Sequence, residues 1–238
     1  PAGSTVPDMR LDAYLARCTS LSRKEARRAV AAGRVTVAGQ PAAKASEPVA
    51  ENTAVTLDGE PLTIPGHIYL MLNKPANVLS ATTDASQPVV TDLLPDELAA
   101  KVHPVGRLDR DTTGLLLLTS DGQWSHRITS PRHHCPKTYR VTLAEPLSDP
   151  ARHQLESGGL QLRNEEQELR PAGVVNVSDR VIDLTITEGR YHQVKRMLAA
   201  VGNHVEALHR HRIGALTLDP ALGPGEFRYL DDAEIASL

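Results

Sequence analysis

Four consecutive leucines, Leu115 to Leu118, follow a polar loop bounded by glycines, Gly106-Arg-Leu-Asp-Arg-Asp-Thr-Thr-Gly114. An unbroken apolar run of this kind fits a strand covered on both faces, or nearly so. A strand buried that way needs a sheet around it and helices against the sheet. The loop ahead of it can then hold a carboxylate rigidly at a cleft. Taken alone, a loop of this composition is more often a solvated turn with Asp109 and Asp111 as loop formers. Its meaning depends on what the rest of the chain brings to it.

Further strand candidates are 68–72, 137–144, 171–178, 180–187 and 215–219, with the leucine run at 115–119. Helix candidates are 123–129, 150–157 and 191–201. Strands outnumber helices and do not alternate regularly with them, which predicts an α+β fold with a mixed, mainly antiparallel sheet and flanking helices. Ahead of this region, residues 9–33 read as two helices. Leu11, Leu15 and Cys18 form an amphipathic stripe, Ser22 and Glu25 have capping-box spacing, and Gly33 suits a helix end. Val35 and Val37, then Ala54 to Leu57 before Asp58-Gly59, read as strands. The expected organisation is a flexible arm at 1–8, a small helix-helix-strand domain at 9–60, a linker at 61–67 and a large domain at 68–238.

No apolar run approaches the roughly 18 residues that span a bilayer, and no signal-peptide pattern opens the sequence. The expectation is a soluble, cytoplasmic, monomeric protein with reduced Cys18 and Cys135. The net charge of −3 argues mildly against nucleic acid, but its distribution reverses that reading. Residues 10–34 carry seven basic side chains against Asp12 and Glu25, residues 101–140 seven against three, and residues 189–213 five against Glu206 alone. Residues 145–188 carry nine acidic against four basic. Segregation of this kind gives an acidic protein a face for RNA phosphates. Arg23, Arg27 and Arg34, on one side of their helix, with Lys24 and Arg28 adjacent, are candidates for that face.

Two other stretches bear on chemistry. In Gly189-Arg-Tyr-His-Gln-Val-Lys-Arg-Met-Leu198, Val194, Met197, Leu198 and Val201 form one apolar stripe, with His192, Lys195 and Arg196 opposite. A lysine at the stripe's edge can reach a carboxylate in a cleft, although a solvated basic face is the commoner case. The second, Ser130-Pro-Arg-His-His-Cys-Pro-Lys-Thr-Tyr-Arg140, leads a basic loop into a strand. His133, His134 and Cys135 have the wrong spacing for zinc, so no metal is expected. Tyr139 can offer a ring face to a base, against the more common case of an edge-strand tyrosine.

Taken together, these stretches resemble the pseudouridine synthases of the RsuA type. Gly106-Arg-Leu-Asp109 with Thr112-Thr-Gly-Leu115 looks like the family's catalytic motif. Lys137-Thr-Tyr139 looks like its second motif, and Gly189-Arg-Tyr-His-Gln-Val-Lys-Arg-Met197 its third. Tyr69-Leu-Met-Leu-Asn-Lys-Pro75 is similar to the opening strand of the catalytic domain, and residues 9–60 to the RNA-binding domain named after ribosomal protein S-four. Arg110, after the aspartate, departs from many related sequences.

The resemblance implies an isomerase that breaks the uridine N1–C1′ bond, turns the uracil and joins C5 to C1′. Nothing is added or removed, so no cofactor is expected. It implies that Asp109 is the essential carboxylate, acting at C1′ or at C2′, and that Lys195 pairs with it. Tyr139 would stack on the uracil with Val194 beneath, and Arg107 would fill the gap left by the extruded nucleotide. Asp111 reads as structural, bonding to loop backbone. Arg132, Lys137, Arg190, His192 and Arg196 would join the N-terminal basic residues in holding RNA. The expected partner is structured small-subunit ribosomal RNA, free or in an assembly particle, with uridine 516 of 16S rRNA as target. Two rival readings remain: a non-catalytic RNA-binding or ribosome assembly factor, and a Mg-dependent phosphotransferase with an aspartate nucleophile, whose Asp-x-Asp-x-Thr signature Asp109-x-Asp111-x-Thr113 also fits.

Overall fold

The computed structural model describes residues 9–50, 53–62 and 66–238. The arm expected at 1–8 and residues 63–65 of the expected linker lie outside the described residues. The chain divides into two compact units, residues 1–67 with 121–124, and residues 68–120 with 125–238.

In the smaller unit, helices α1 (Leu11–Cys18) and α2 (Arg23–Ala31) precede strands β1 (Val35–Val37) and β2 (Val55–Leu57), which pair antiparallel. Ser22 caps α2 by accepting the Glu25 backbone N–H at 3.1 Å. Leu11, Leu15, Ala26, Ala29, Val35 and Val55 form the core. Helix α2 stops at Ala31, so Arg34 does not share its basic side as expected and instead pairs with Asp58 at 2.7 Å. Asp12 is fully buried. Arg10, Arg23 and Arg27 reach it at 3.1, 2.9 and 3.2 Å. The Arg10 guanidinium, with Arg23 and Arg27, holds its carboxyl well below the usual carboxylate range despite burial.

The larger unit is built on one sheet. Its main strands are β3 (Tyr69–Lys74), β4 (His103–Val105), β5 (Thr113–Thr119), β6 (Lys137–Leu143), β7 (Gly173–Ser178), β8 (Val181–Ile186), β9 (Val205–Ile213) and β10 (Phe227–Tyr229), and a two-residue strand, Leu216–Thr217, pairs with the end of β9. The order across the sheet is β7-β8-β6-β9-β5-β3-β10, with β4 beside the far end of β5. Neighbours are antiparallel except β9 and β5, which run parallel. The fold is α+β. Leu115 to Leu118 are fully buried, as their apolar run requires. Leu70, Leu72, Leu116, Leu118, Val141 and Leu184 share a core with Val194, Met197 and Leu198 of helix α5 (Gln193–Ala200). Helices α3 (Gly122–Thr129) and α4 (Asp149–Ser157) precede α5 in the chain.

Strand β9 is absent from the sequence expectations, which treat 189–213 as a basic segment. Its run His209-Arg-His-Arg212 has no apolar alternation to mark a strand. The structure nevertheless makes it a middle strand, pairing with β6 on one side and β5 on the other. The inward position that would usually hold an aliphatic residue is occupied by Arg210, 3% exposed. At the parallel crossing Arg210 lies opposite Gly114. Gly114 has φ +110°, and a Cβ there would overlap the Arg210 carbonyl. Only glycine lets the two backbones approach this closely.

Candidate active site

The loop carrying Asp109 is fixed at both ends by groups from β3 and the segment after it. Ser80 Oγ donates to the Leu108 carbonyl and accepts the Leu108 N–H, both at 3.0 Å. Lys74 is fully buried, and its ammonium donates to the carbonyls of Pro75, Arg110 and Thr112 at 2.9, 3.1 and 2.7 Å. Burial pushes the Lys74 ammonium down to about 8, against the opposing pull of Asp111 and Asp109. The Asn77 N–H also donates to the Arg110 carbonyl at 2.8 Å. With the backbone held on either side, the Asp109 side chain projects with little freedom, about one-third exposed.

Three polar side chains, from the N-terminal end of α5 and from the loop, surround it. Lys195 Nζ stands 3.5 Å from Asp109 Oδ2, and His192 Nε2 stands 3.3 Å from Asp109 Oδ1. The closer partner of Lys195 is Asp111, at 2.9 Å and 3.0 Å from its two carboxylate oxygens. Asp111, expected to bond to loop backbone, is thus also held by the Lys195 ammonium. The reason is reach, since a flexible four-carbon stem lets one ammonium serve two carboxylates. Burial alone would lower the Lys195 pKa, but the hydrogen bond to Asp111 and the charges of Asp111 and Asp109 raise it above its ordinary value. The same bond to Lys195 lowers Asp111.

A cavity of about 310 Å³ opens beside this cluster. Asp109, Tyr139, Val194 and Lys195 all line it, as do Arg107, Lys137, Arg190 and His192. Tyr139 projects from β6 and is 9% exposed. Arg210, its partner across β9, lies with its guanidinium carbon 6.0 Å from the ring centroid. Arg210 Nε donates to the Leu115 carbonyl at 2.9 Å, so one side chain spans the strand of Tyr139 and the strand that follows the Asp109 loop. Arg210 Nη2 and Thr112 Oγ1 are buried and have no hydrogen-bond partner among the described residues. Both residues line the cavity. Burial lowers the pKa of Lys137, whose ammonium donates to the Cys135 carbonyl.

Other candidates from the sequence sit elsewhere or are committed inward. Arg190 donates to the carbonyls of Gln167 and Glu168 and pairs with Glu188. Arg196 pairs with Glu165 and donates to the carbonyls of Arg163 and Tyr191. These two arginines hold the 163–168 loop against the start of α5 rather than standing free for phosphate. Arg132 is exposed on a short 3-10 turn, Pro131–His133, and does not line the cavity. In the smaller unit Lys24 and Arg28 are exposed, while Arg23 and Arg27 reach back to Asp12. Among the described residues no group of three or more His, Cys, Asp or Glu is arranged to hold a metal ion.

Sequence reasoning missed Lys74, Ser80 and Arg210. Lys74 and Ser80 act from strand and loop positions remote in sequence, and a lone Ser or Lys gives no signal of that. Arg210 had one, since a glycine in the otherwise apolar start of β5 hints at a close backbone neighbour.

Comparison with known proteins adds a direct result. Residues 68–200 match the family described as RNA pseudouridylate synthase, and residues 9–55 match the S4 domain. The chain is 50% identical over 231 residues to ribosomal small subunit pseudouridine synthase A of Escherichia coli K12, covering 97% of this chain and 100% of that protein. It is 46% identical to the protein of the same name from Vibrio parahaemolyticus, over 97% of this chain and 99% of that one. A crystal structure of a pseudouridylate synthase superposes with a TM-score of 0.70 at 43% identity, covering 96% of this chain and 99% of the other.

Proposed function

The chain belongs to the RNA pseudouridylate synthase family, and from that membership we propose that it isomerises one uridine of small-subunit ribosomal RNA, at position 516 of 16S rRNA. That membership displaces the phosphotransferase and non-catalytic readings of the Asp109 loop. The observation that carries the proposal is the cavity in which Asp109, Tyr139 and Lys195 meet, because the reaction needs all three kinds of group in one place.

In this reading a uridine is extruded from its helix, at a cost of a few kcal/mol, and its uracil enters the cavity between Tyr139 and Val194. Arg107 takes the space the nucleotide leaves. Asp109, with the Lys195 ammonium 3.5 Å away, acts at C1′ by attack or at C2′ by proton removal. Either route releases N1 from C1′. The base turns and C5 bonds to C1′, which breaks the Asp109–C1′ ester in the first route or returns the proton to C2′ in the second; the C5 proton then leaves and N1 is protonated. Tyr139 lies against the base for the whole sequence and is the group positioned to pass a proton. The unpaired Thr112 Oγ1 and Arg210 Nη2 supply hydrogen-bonding capacity that the polar edge of a uracil can meet. Lys137 and His192 complete the walls.

The S4 domain contributes phosphate contacts through Lys24 and Arg28, with Arg23 and Arg27 sharing their charge between Asp12 and the RNA. The protein works in the cytoplasm as a monomer, on RNA free or in an assembly particle. Mapping pseudouridines on 16S rRNA from cells with and without this protein tests the proposal. One site, at 516, is expected to disappear without it; an unchanged map contradicts the substrate assignment.

A further inference from the structure

We propose that the outer face of Tyr191 is a stacking subsite for a nucleobase next to the target uridine, an inference that rests on the RNA-isomerising reading of the adjoining cavity. The chain has seven aromatic residues, counting one Phe, one Trp and five Tyr, and among the described residues Tyr191, 74% exposed, is the most open of the exposed large hydrophobic side chains. Its inner face is already used. The Tyr191 and His192 rings stack at 3.8 Å between centroids with planes 16° apart, and His192 Nε2 lies 3.3 Å from Asp109 Oδ1. Two rings and a carboxylate thus run in sequence from solvent to the reacting group.

The platform is held before any ligand arrives. His192 takes a left-handed conformation, φ 46° and ψ 37°, which a residue with a Cβ keeps only when its surroundings fix it. Arg196 Nη1 donates to the Tyr191 carbonyl at 3.0 Å, and the Arg190 N–H donates to Gln193 Oε1 at 3.0 Å. The backbone is therefore tied on both sides of an exposed ring. A flat ring fixed in direction, apolar on its open face and reached by solvent, suits the face of a base. The occupant is not the target uracil, because His192 lines the cavity and Tyr191 does not. It is a neighbour in the same RNA strand, and its stacking steadies the His192 ring that borders Asp109.

The test uses full-length protein and a 16S rRNA fragment spanning the target uridine. Binding is read by fluorescence anisotropy at one salt concentration for Tyr191→Ala, Tyr191→Phe and Tyr191→Trp. Each is repeated with RNAs carrying an abasic site at single positions flanking the uridine. The alanine variant is expected to bind about 10- to 100-fold more weakly, with Phe and Trp within about twofold of the parent. One abasic RNA should show the same loss with the parent protein and no further loss with the alanine variant. Unchanged binding by Tyr191→Ala overturns the subsite, as does equal loss in Tyr191→Phe, or losses that add in full at every flanking position. Product formation is scored separately. A parent protein that binds RNA but forms no pseudouridine refutes the reading of the cavity, whereas unaltered binding in the alanine variant refutes the subsite alone.

Discussion

The buried ammonium of Lys74 donates to the Thr112 carbonyl at 2.7 Å, across 38 residues of chain. With its bonds to Pro75 and Arg110, it fixes the backbone that presents Asp109. Lys74→Met keeps most of the volume but takes the ammonium donor from the Pro75 and Thr112 carbonyls and leaves the Arg110 carbonyl only its bond from Asn77, so the expected loss of stability is about 2–4 kcal/mol. A denaturant midpoint unchanged from the parent contradicts this role. The pH dependence has a definite sign. The folded-state pKa of about 8 lies below the ordinary value of 10.5, so between those limits the unfolded chain binds more protons and stability rises with pH. The parent should show this gain from pH 8 upward and the methionine variant should lack it.

Lys195 shared between Asp109 and Asp111 gives unequal expectations for its two partners. Lys195→Met removes the ammonium that Asp109 and Asp111 share. Activity should fall about 100-fold or more. Asp111→Asn frees Lys195 to approach Asp109, so activity should stay within about fivefold of the parent. Because the folded-state pKa of Asp111 is lowered, its ion pair contributes above the ordinary carboxylate pKa and is lost as pH falls through the lowered value. Asp111→Asn should accordingly flatten acid unfolding. Equal loss of activity in the two variants contradicts the assignment.

Most of the fold was legible because its signals are local. The leucine run, the Ser22 cap and the stripe Val194-Met197-Leu198 each dictate their own element. The same holds for Asp109, Tyr139 and Lys195, which stand in stretches whose order resembles a known family. What escaped was long-range. Nothing near Lys74 or Ser80 shows that they hold the loop around Leu108 and Thr112, and β9 hides its strand character behind polar residues. Charge counting also overestimated the free basic surface. Arg190 and Arg196 are occupied by Glu165, Glu188 and backbone carbonyls, because a guanidinium has five donors and finds acceptors within its own chain.

Arg210 is a positioning residue for Tyr139. Arg210→Lys keeps the charge but loses the planar fork with which one side chain both bonds the Leu115 carbonyl and stands beside the Tyr139 ring. The expected result is a kcat about tenfold lower with KM within about twofold, since uracil orientation suffers more than RNA binding. A rise in KM at constant kcat contradicts it.

In the S4 domain, binding and folding roles should separate along α2. Lys24→Ala and Arg28→Ala should each lower the salt slope of RNA binding by about one while leaving stability within about 0.5 kcal/mol. Asp12→Ala removes the acceptor of three arginines and should cost about 1–3 kcal/mol, toward the low end because those arginines are half exposed and screened by water. Arg23→Ala or Arg27→Ala should change both quantities. A salt slope insensitive to Lys24 and Arg28 contradicts the placement of RNA on this helix.

The most direct measurement is tritium release from ribosomal RNA labelled at uracil C5, comparing the parent with Asp109→Asn under single-turnover conditions. The substitution keeps the side-chain volume and removes the ionised carboxylate. Release is expected to vanish with Asp109→Asn while RNA affinity stays within about twofold. Release at the parental rate would mean that the chemistry is carried by another group.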